Sequence, residues 1–161
     1  MKELTLIGRA ERVDFPQLSF SHVPAKIDTG ADASSIWAHV SQLEGTRLDV
    51  IFFGPGSPYY DGIVHSFPRS EYTITRVSNS FGQREVRYKL KLKIKVAGRI
   101  IMGSFSLANR SSKLYPILLG RSLLRNKFLV DVAKGEPLIE EEKARKAKLK
   151  EEILVFSKDQ S

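Results

Sequence analysis

The feature that most constrains the fold lies in residues 86–96, which read V-R-Y-K-L-K-L-K-I-K-V. From Lys89 onwards, basic and apolar side chains alternate strictly. Successive side chains of a β-strand point to opposite faces, so a period of two is typical of a half-exposed strand. The apolar face carries Leu90, Leu92, Ile94 and Val96, and the other face carries Lys89, Lys91, Lys93 and Lys95. Ala97 and Gly98 then turn the chain into a further apolar run, which predicts a long β-hairpin.

Other short β-rich runs cover most of the chain before residue 132. Gly, Pro, Ser or Asn residues bound each run, as expected for closely spaced antiparallel strands. These predicted strands are residues 4–7, 23–27, 47–53, 72–77, 99–107 and 127–132. One short helix is predicted at residues 121–126. The pattern as a whole indicates an all-β domain.

The 161 residues are enough for one domain with a real core but not for two. We divide them into a domain at residues 1–138 and a charged, helical tail at residues 139–161. The absence of cysteine excludes disulfides, thiolate metal sites and a cysteine nucleophile. No signal peptide and no run of about 18 apolar residues occurs, so we expect a cytoplasmic protein without a membrane segment. The net charge of +8 favours anionic partners.

A candidate for chemistry is the segment K-I-D-T-G-A at residues 26–31. A strand that ends here would deliver the carboxylate of Asp28 into a tight turn. Gly30 suits such a turn, and the Thr29 hydroxyl can brace it by hydrogen bonding. Asp, Thr and Gly are common turn residues, so the triplet alone is also compatible with an ordinary turn.

A second segment, P-I-L-L-G-R-S-L-L at residues 116–124, is an apolar strand that ends at Gly-Arg before a short amphipathic helix. With both segments in this order and a hairpin before the second, the sequence resembles the retropepsins, the homodimeric aspartic peptidases of retroviruses. The resemblance covers roughly residues 23–132. It implies an acid-protease fold, a closed β-barrel with one short helix that works as a two-fold dimer.

The sequence is more similar still to a bacterial family of retropepsin-like proteins that carries the name ATP-dependent zinc protease. The similar stretches are K-I-D-T-G-A-D-A-S-S at 26–35, N-R-S at 109–111, L-L-G-R-S-L-L at 118–124 and F-L-V-D-V at 128–132. The name itself finds no support, because neither a G-x-x-x-x-G-K-[ST] phosphate loop nor an H-E-x-x-H zinc motif occurs. The three histidines, His22, His39 and His65, are scattered. We therefore expect no metal and no cofactor.

The resemblance implies a catalytic role for Asp28, supported in its loop by Thr29, Gly30 and Ala31. Aspartic peptidases hold two carboxylates close enough to share a proton, so that one activates a water while the other donates to the scissile carbonyl. Since the sequence has a single D-T-G, the second aspartate must be Asp28 of another copy, and a homodimer is required for activity. The remaining implied roles are a turn at Gly120 and an ion pair of Asp32 with Arg121, for which an ordinary surface pair is an equal alternative.

A mobile flap should close over an extended peptide in such an enzyme. We place its tip at Asn79, Ser80, Phe81 and Gly82, a good hairpin turn sequence that also agrees with the retropepsin alignment. The rival flap is residues 54–62, rich in glycine and proline. If the first choice holds, residues 47–70 form an insertion relative to the viral enzymes.

The substrate is expected to be an extended peptide or protein. Arg76, Arg84, Arg87 and the alternating lysines would make an acidic peptide attractive, although a solvated strand face explains them equally well. The bacterial family is associated with glutamate-adding ligases, which implies glutamate-rich tails as substrates. The alternative function is a non-catalytic dimeric peptide-binding module with the same fold. Nucleic-acid binding is not favoured, because no recognisable module accompanies the basic charge.

Overall fold

A computed structural model describes residues 3–78 and 80–160 of the chain. The chain is rich in β-strands up to residue 130 and helical after residue 138. The strands are β1 (Thr5–Ile7), β2 (Ala10–Val13), β3 (Val23–Ile27), β4 (Ser34–Glu44), β5 (Arg47–Phe52), β6 (Val64–Phe67), β7 (Tyr72–Ser78), β8 (Arg84–Val96), β9 (Arg99–Ala108), β10 (Ile117–Leu119) and β11 (Phe128–Val130). The α-helices are α1 (Arg121–Leu124) and α2 (Ile139–Asp159), and a 3-10 turn spans Arg69–Glu71.

Nine of these strands form one sheet with the order β2-β3-β10-β4-β9-β8-β7, to which β5 and β6 are added beside β4. The insertion of β10 between β3 and β4 matters most for function. β10 runs parallel to β3, with Leu119 opposite Ile27, and antiparallel to β4, with Ile117 opposite Ile36. The ends of two segments that lie about ninety residues apart in sequence are therefore hydrogen-bonded neighbours.

The alternation in β8 is confirmed. Leu90, Leu92, Ile94 and Val96 are buried in the core, while the four lysines that alternate with them, at positions 89, 91, 93 and 95, are exposed or partly exposed. β8 pairs antiparallel with β9 from Lys89 to Val96, and Ala97 and Gly98 form the predicted turn in left-handed backbone conformations. Burial of these aliphatic side chains in a single apolar cluster holds the hairpin to the rest of the domain.

The fold is mostly β, and the hydrogen-bonded ladders form an open sheet with one additional link. An isolated bridge joins Asp14, just after β2, to Lys95 on β8, through two backbone hydrogen bonds of 3.2 and 2.8 Å. Within residues 3–78 and 80–160, this bridge connects the β2 end of the sheet to β8. The predicted closed barrel is therefore not formed by a continuous ladder of hydrogen bonds. The described strands show a single bridge at the place where a barrel would close.

Several elements differ from the sequence predictions. β4, the second longest strand, was not predicted, because it begins with Ser34 and Ser35 in a run of small and polar residues that is typical of a turn. Ser34, Ile36 and Ala38 alternate into the core. β2 and β6 are also additional, and β6 lies within the 47–70 block, where it pairs with β5. The short helix ends at Leu124 instead of residue 126, because Arg125 leaves the helical conformation with a ψ of 130° and Asn126 follows with a left-handed φ of 63°.

The charged C-terminal segment is the helix α2, and no residue of it is buried. Its first turns contact the β domain through Glu142, which accepts hydrogen bonds from Tyr115 and Arg9, and through Arg145, which donates to the Ser112 carbonyl. No helix in the described part of the chain is both long enough and apolar enough to cross a membrane.

Candidate active site

Asp28 directly follows β3, and backbone hydrogen bonds fix its position. Its N–H donates to the Leu119 carbonyl at 2.9 Å, and its own carbonyl accepts from the Ala31 N–H at 3.2 Å. The carboxylate accepts a bond of 2.9 Å from the Gly30 N–H to Oδ1, and the residue stays partly exposed. Asp28 thus presents its carboxylate at the surface while both of its own backbone groups are hydrogen-bonded.

The second predicted segment closes the other side of this turn. The Arg121 N–H donates to the Ala31 carbonyl at 2.8 Å, and the Ser122 N–H donates to the Asp32 carbonyl at 3.0 Å. The Gly120 N–H donates to the hydroxyl of the buried Ser34 at 3.0 Å. We call residues 28–34 together with residues 119–122 the Asp28 corner, since these bonds make one unit of them.

Gly120 is needed in the corner for space. A Cβ at this position would lie 2.6 Å from the Ala33 carbonyl oxygen and 2.9 Å from that of Ala31, far inside van der Waals contact. Gly30 is not among the glycines with positive φ, so the backbone conformation at this position does not itself require glycine. The reason for a glycine here is the space beside the Asp28 carboxylate. A Cβ at Gly30 would lie 3.2 Å from Asp28 Oδ1.

The predicted pair of Asp32 and Arg121 is present but weak. Arg121 Nη2 lies 3.9 Å from Asp32 Oδ1, and the side chains are 54% and 82% exposed, so water screens the attraction. The stronger contact of Arg121 is the 3.0 Å bond from Nη1 to the Thr29 carbonyl. Arg121 therefore braces the turn that follows Asp28 from outside, while Thr29 and Gly30 themselves remain exposed.

The predicted flap tip lies at the end of the hairpin formed by β7 and β8. Ser80, Phe81 and Gly82 are in the turn; Phe81 is 88% exposed and Gly82 has a left-handed φ of 75°. Asn79, the fourth predicted tip residue, lies outside the described residues. β8 pairs with β9 only from Lys89 onwards, so residues 84–88 pair with β7 alone. We call residues 74–88 the hairpin end.

The rival flap, residues 54–62, is packed on the domain. A Cβ at Gly54 would lie 2.8 Å from the Trp37 indole, and the Tyr59 ring lies 5.9 Å from that of Phe53. Arg12 Nη1 also donates to the Tyr59 hydroxyl at 3.2 Å. These contacts hold residues 54–62 against the β domain, whereas residues 84–88 of the hairpin end pair with β7 alone.

Arg110 lies beside the corner and was not recognised as a site residue, although N-R-S belonged to the similar stretches. It follows β9, and its guanidinium donates from Nε to the Tyr115 carbonyl at 2.9 Å and from Nη1 to the Ser35 hydroxyl at 3.2 Å. Partial burial lowers the pKa of Arg110, and the negative charge of Asp28 opposes this shift. Its partner Ser35 directly follows Ser34 of the Asp28 corner, so the Arg110 guanidinium adjoins the corner.

Two cavities adjoin the corner. One, of about 620 Å³, lies between the corner, the hairpin end and the end of β9; its lining includes Ser34, Ser35, Glu85, Arg87, Tyr88 and Asn109. The other, of about 760 Å³, lies between the corner and β11; its lining includes Thr29, Asp32, Arg121, Phe128 and Leu129. The first cavity thus lies between one side of the corner, at Ala33 and Ser34, and the hairpin end.

A family model described as RimB-like, retropepsin-like aspartic endopeptidase RimB, matches residues 61–141. The chain belongs to this family. The match includes the hairpin end, Arg110 and Gly120-Arg121, and it does not include the Asp28 turn. The assignment of Asp28 to the site therefore depends on its hydrogen bonds to the matched segment and on the D-T-G motif.

Curated relatives and one solved structure extend the comparison. The chain is 30% identical over 136 residues to a Shewanella pealeana protein named "Probable alpha-L-glutamate ligase", and 27% identical over 138 residues to a protein of the same name from Desulfotalea psychrophila. These matches cover 78% and 80% of the chain but 28% of each relative, so the chain spans under a third of their length.

A crystal structure of a Legionella pneumophila protein of unknown function is similar in fold, with a TM-score of 0.62 and 24% identity. The similarity covers 81% of this chain and 95% of the other.

The scattered histidines of this RimB-like chain have separate surroundings. His65 Nε2 lies 3.1 Å from the Ser19 hydroxyl, which donates to Asp61 at 2.7 Å; burial lowers the pKa of His65. His22 Nδ1 lies 3.2 Å from Asp14. In the part of the chain that the structure describes, no three His, Asp or Glu side chains are grouped closely enough to hold a metal ion.

Proposed function

We propose that this chain is an aspartic endopeptidase whose active site contains Asp28 from each of two identical chains. The observation that carries the proposal is the Asp28 corner. It holds a carboxylate at the surface with backbone hydrogen bonds from two distant segments, and membership of a retropepsin-like family agrees with that arrangement.

The chemistry needs a second carboxylate. Two aspartates close together share one proton; the ionised one removes a proton from water as its oxygen attacks the scissile carbonyl carbon, while the protonated one donates to the carbonyl oxygen. The attack forms a tetrahedral gem-diol. The C–N bond of this diol breaks as the carboxyl group that took the water proton protonates the nitrogen, and a diol hydroxyl returns its proton to the other carboxylate, which leaves a carboxylic acid and an amine. The exposed Thr29 and Gly30 would meet their counterparts across a two-fold axis, and the barrel-like fold would function in this dimer.

The hairpin end would act as the flap. Residues 84–88 pair with β7 alone, and a two-stranded end of this kind can move while the base of the hairpin stays in the core. Closing over the 620 Å³ cavity, it would exclude water and offer backbone hydrogen bonds to an extended peptide.

An acidic peptide, with glutamate-rich sequences as the leading case, is the proposed substrate. Arg84 and Arg87 lie on the hairpin end, and the chain carries a net charge of +8. The relatives named alpha-L-glutamate ligase contain a region similar to this chain within a longer protein, which is consistent with an association between such a region and glutamate chemistry.

Replacing Asp28 by Asn tests the proposal. The wild-type protein should cleave members of an acidic peptide library between about pH 4 and 7, and the variant should lose cleavage by on the order of a thousandfold or more. The wild type should also have the solution mass of a dimer. Equal cleavage by the variant contradicts the catalytic role of Asp28. Peptide binding without cleavage by the wild type would instead support the peptide-binding module.

A further inference from the structure

Arg110 is held firmly but only partly satisfied. Its bonds to the Tyr115 carbonyl and the Ser35 hydroxyl use Nε and Nη1 and fix the plane of the guanidinium. A guanidinium has five N–H donors in a rigid fork. Among the described residues, Nη2 has no hydrogen-bond partner, which leaves part of this fork for another acceptor.

The charge of Arg110 is also incompletely balanced. The side chain is partly buried, and no carboxylate of the described residues forms an ion pair with it. Asp28 is the acidic group that acts on it electrostatically. A partly buried cation is costly unless an anion or hydrogen bonds compensate it. A guanidinium fits carboxylates and phosphates through paired N–H bonds, and in an unmodified peptide the available anion is a carboxylate.

The place of Arg110 relates it to a bound substrate. Its partner Ser35 and its neighbour Asn109 both line the 620 Å³ cavity, and Arg87 of the hairpin end lines the same cavity. Arg87 lies 3.7 Å from Glu85 in an exposed pair, so it already has an acidic partner. Arg110 thus combines a fixed orientation with an open donor, and its partner Ser35 directly follows Ser34 of the Asp28 corner.

We propose that Arg110 forms a specificity subsite for a carboxylate of the substrate next to the cleaved bond. The inference rests on the proposed function and names the residue that would select acidic peptides. The carboxylate could belong to a glutamate or aspartate side chain or to the end of the peptide, and both would bind the same fork.

The test compares matched peptides. A quenched fluorescent peptide with central glutamates, amidated at its C-terminus, is compared with its glutamine isostere and with the glutamine peptide carrying a free C-terminus. Arg110→Gln should lower kcat/KM for the glutamate peptide by at least about tenfold more than it lowers kcat/KM for the amidated glutamine peptide. Arg110→Lys should retain part of the preference, because it keeps the charge but not the fork.

Controls separate this inference from the peptidase proposal. Arg47 is an exposed arginine on β5, and Arg47→Gln removes the same charge far along the sheet, so it should leave the preference unchanged.

Binding of the same peptides to Asp28→Asn protein, with and without Arg110→Gln, reports the subsite even if no peptide is cleaved. Equal losses for glutamate and glutamine peptides in Arg110→Gln, or no preference in the wild type, would overturn the inference. If Arg110→Gln lowers kcat/KM only for the peptide with a free C-terminus, the subsite binds the C-terminal carboxylate of the substrate.

Discussion

The Asp28 corner and the hairpin end face the same cavity and are built in opposite ways. In the corner, backbone groups of residues 28–34 bond to backbone groups of residues 119–122, and one glycine allows the two segments to touch. At the hairpin end, residues 84–88 bond to one neighbouring strand, and their side chains are almost all exposed. The corner is part of the core structure, whereas the hairpin end extends from it.

The difference fits the two tasks that the proposed mechanism sets. A carboxylate that must meet another carboxylate and a water within fractions of an ångström needs a support that does not move. A segment that must open for a peptide and close over it needs few tertiary contacts. The same sheet provides both, because β10 is inserted between two strands while β7 lies at an edge.

The largest contrast is expected from placing alanine at a glycine in each region. Gly120→Ala puts a Cβ against the Ala33 carbonyl, and we expect a loss of about 1–3 kcal/mol in the free energy of unfolding together with loss of activity. Gly82→Ala meets nothing within 4 Å, so only the left-handed φ is unfavourable, at about 1 kcal/mol. Urea unfolding followed by Trp37 fluorescence measures both. An equal or larger loss at Gly82 would remove the contrast.

A smaller effect is expected within the corner itself. Arg121→Gln removes the charge-assisted bond to the Thr29 carbonyl and should lower the free energy of unfolding by about 1 kcal/mol. Asp32→Asn removes one partner of an exposed ion pair with a separation of 3.9 Å, and should change the free energy of unfolding by less than about 0.5 kcal/mol. The same unfolding assay gives both values. If Asp32→Asn is the more damaging of the two, the ion pair rather than the Thr29 contact braces the turn.

Local patterns made much of this architecture predictable. The alternation in β8 fixes which face is buried, and two short motifs in the right order indicate a site from residues far apart in sequence. The turn residues Ala97 and Gly98 also marked the hairpin correctly. Each of these signals depends on neighbouring residues and the period of a strand, which a sequence shows directly.

What could not be predicted depends on tertiary neighbours. β4 starts in a run of small polar residues, and its burial follows from pairing with β9 and β10. The steric reason for Gly120 lies in the turn at residues 31–33, and Arg110 gains its orientation from Ser35 and Tyr115. The contacts of Gly120 and Arg110 leave no periodic signal in the sequence. The N-R-S stretch was the available clue to Arg110, and it had no assigned chemistry.

The most direct test of the central claim is a subunit-mixing titration. Wild-type chain and Asp28→Asn chain are refolded together at constant total concentration, native mass spectrometry verifies mixed dimers, and cleavage of the glutamate peptide is measured. If both aspartates of a dyad are needed, activity follows the square of the wild-type fraction, and an equal mixture retains about a quarter of it. A linear dependence, with about half the activity in the equal mixture, would show that each chain acts alone and would contradict the shared site.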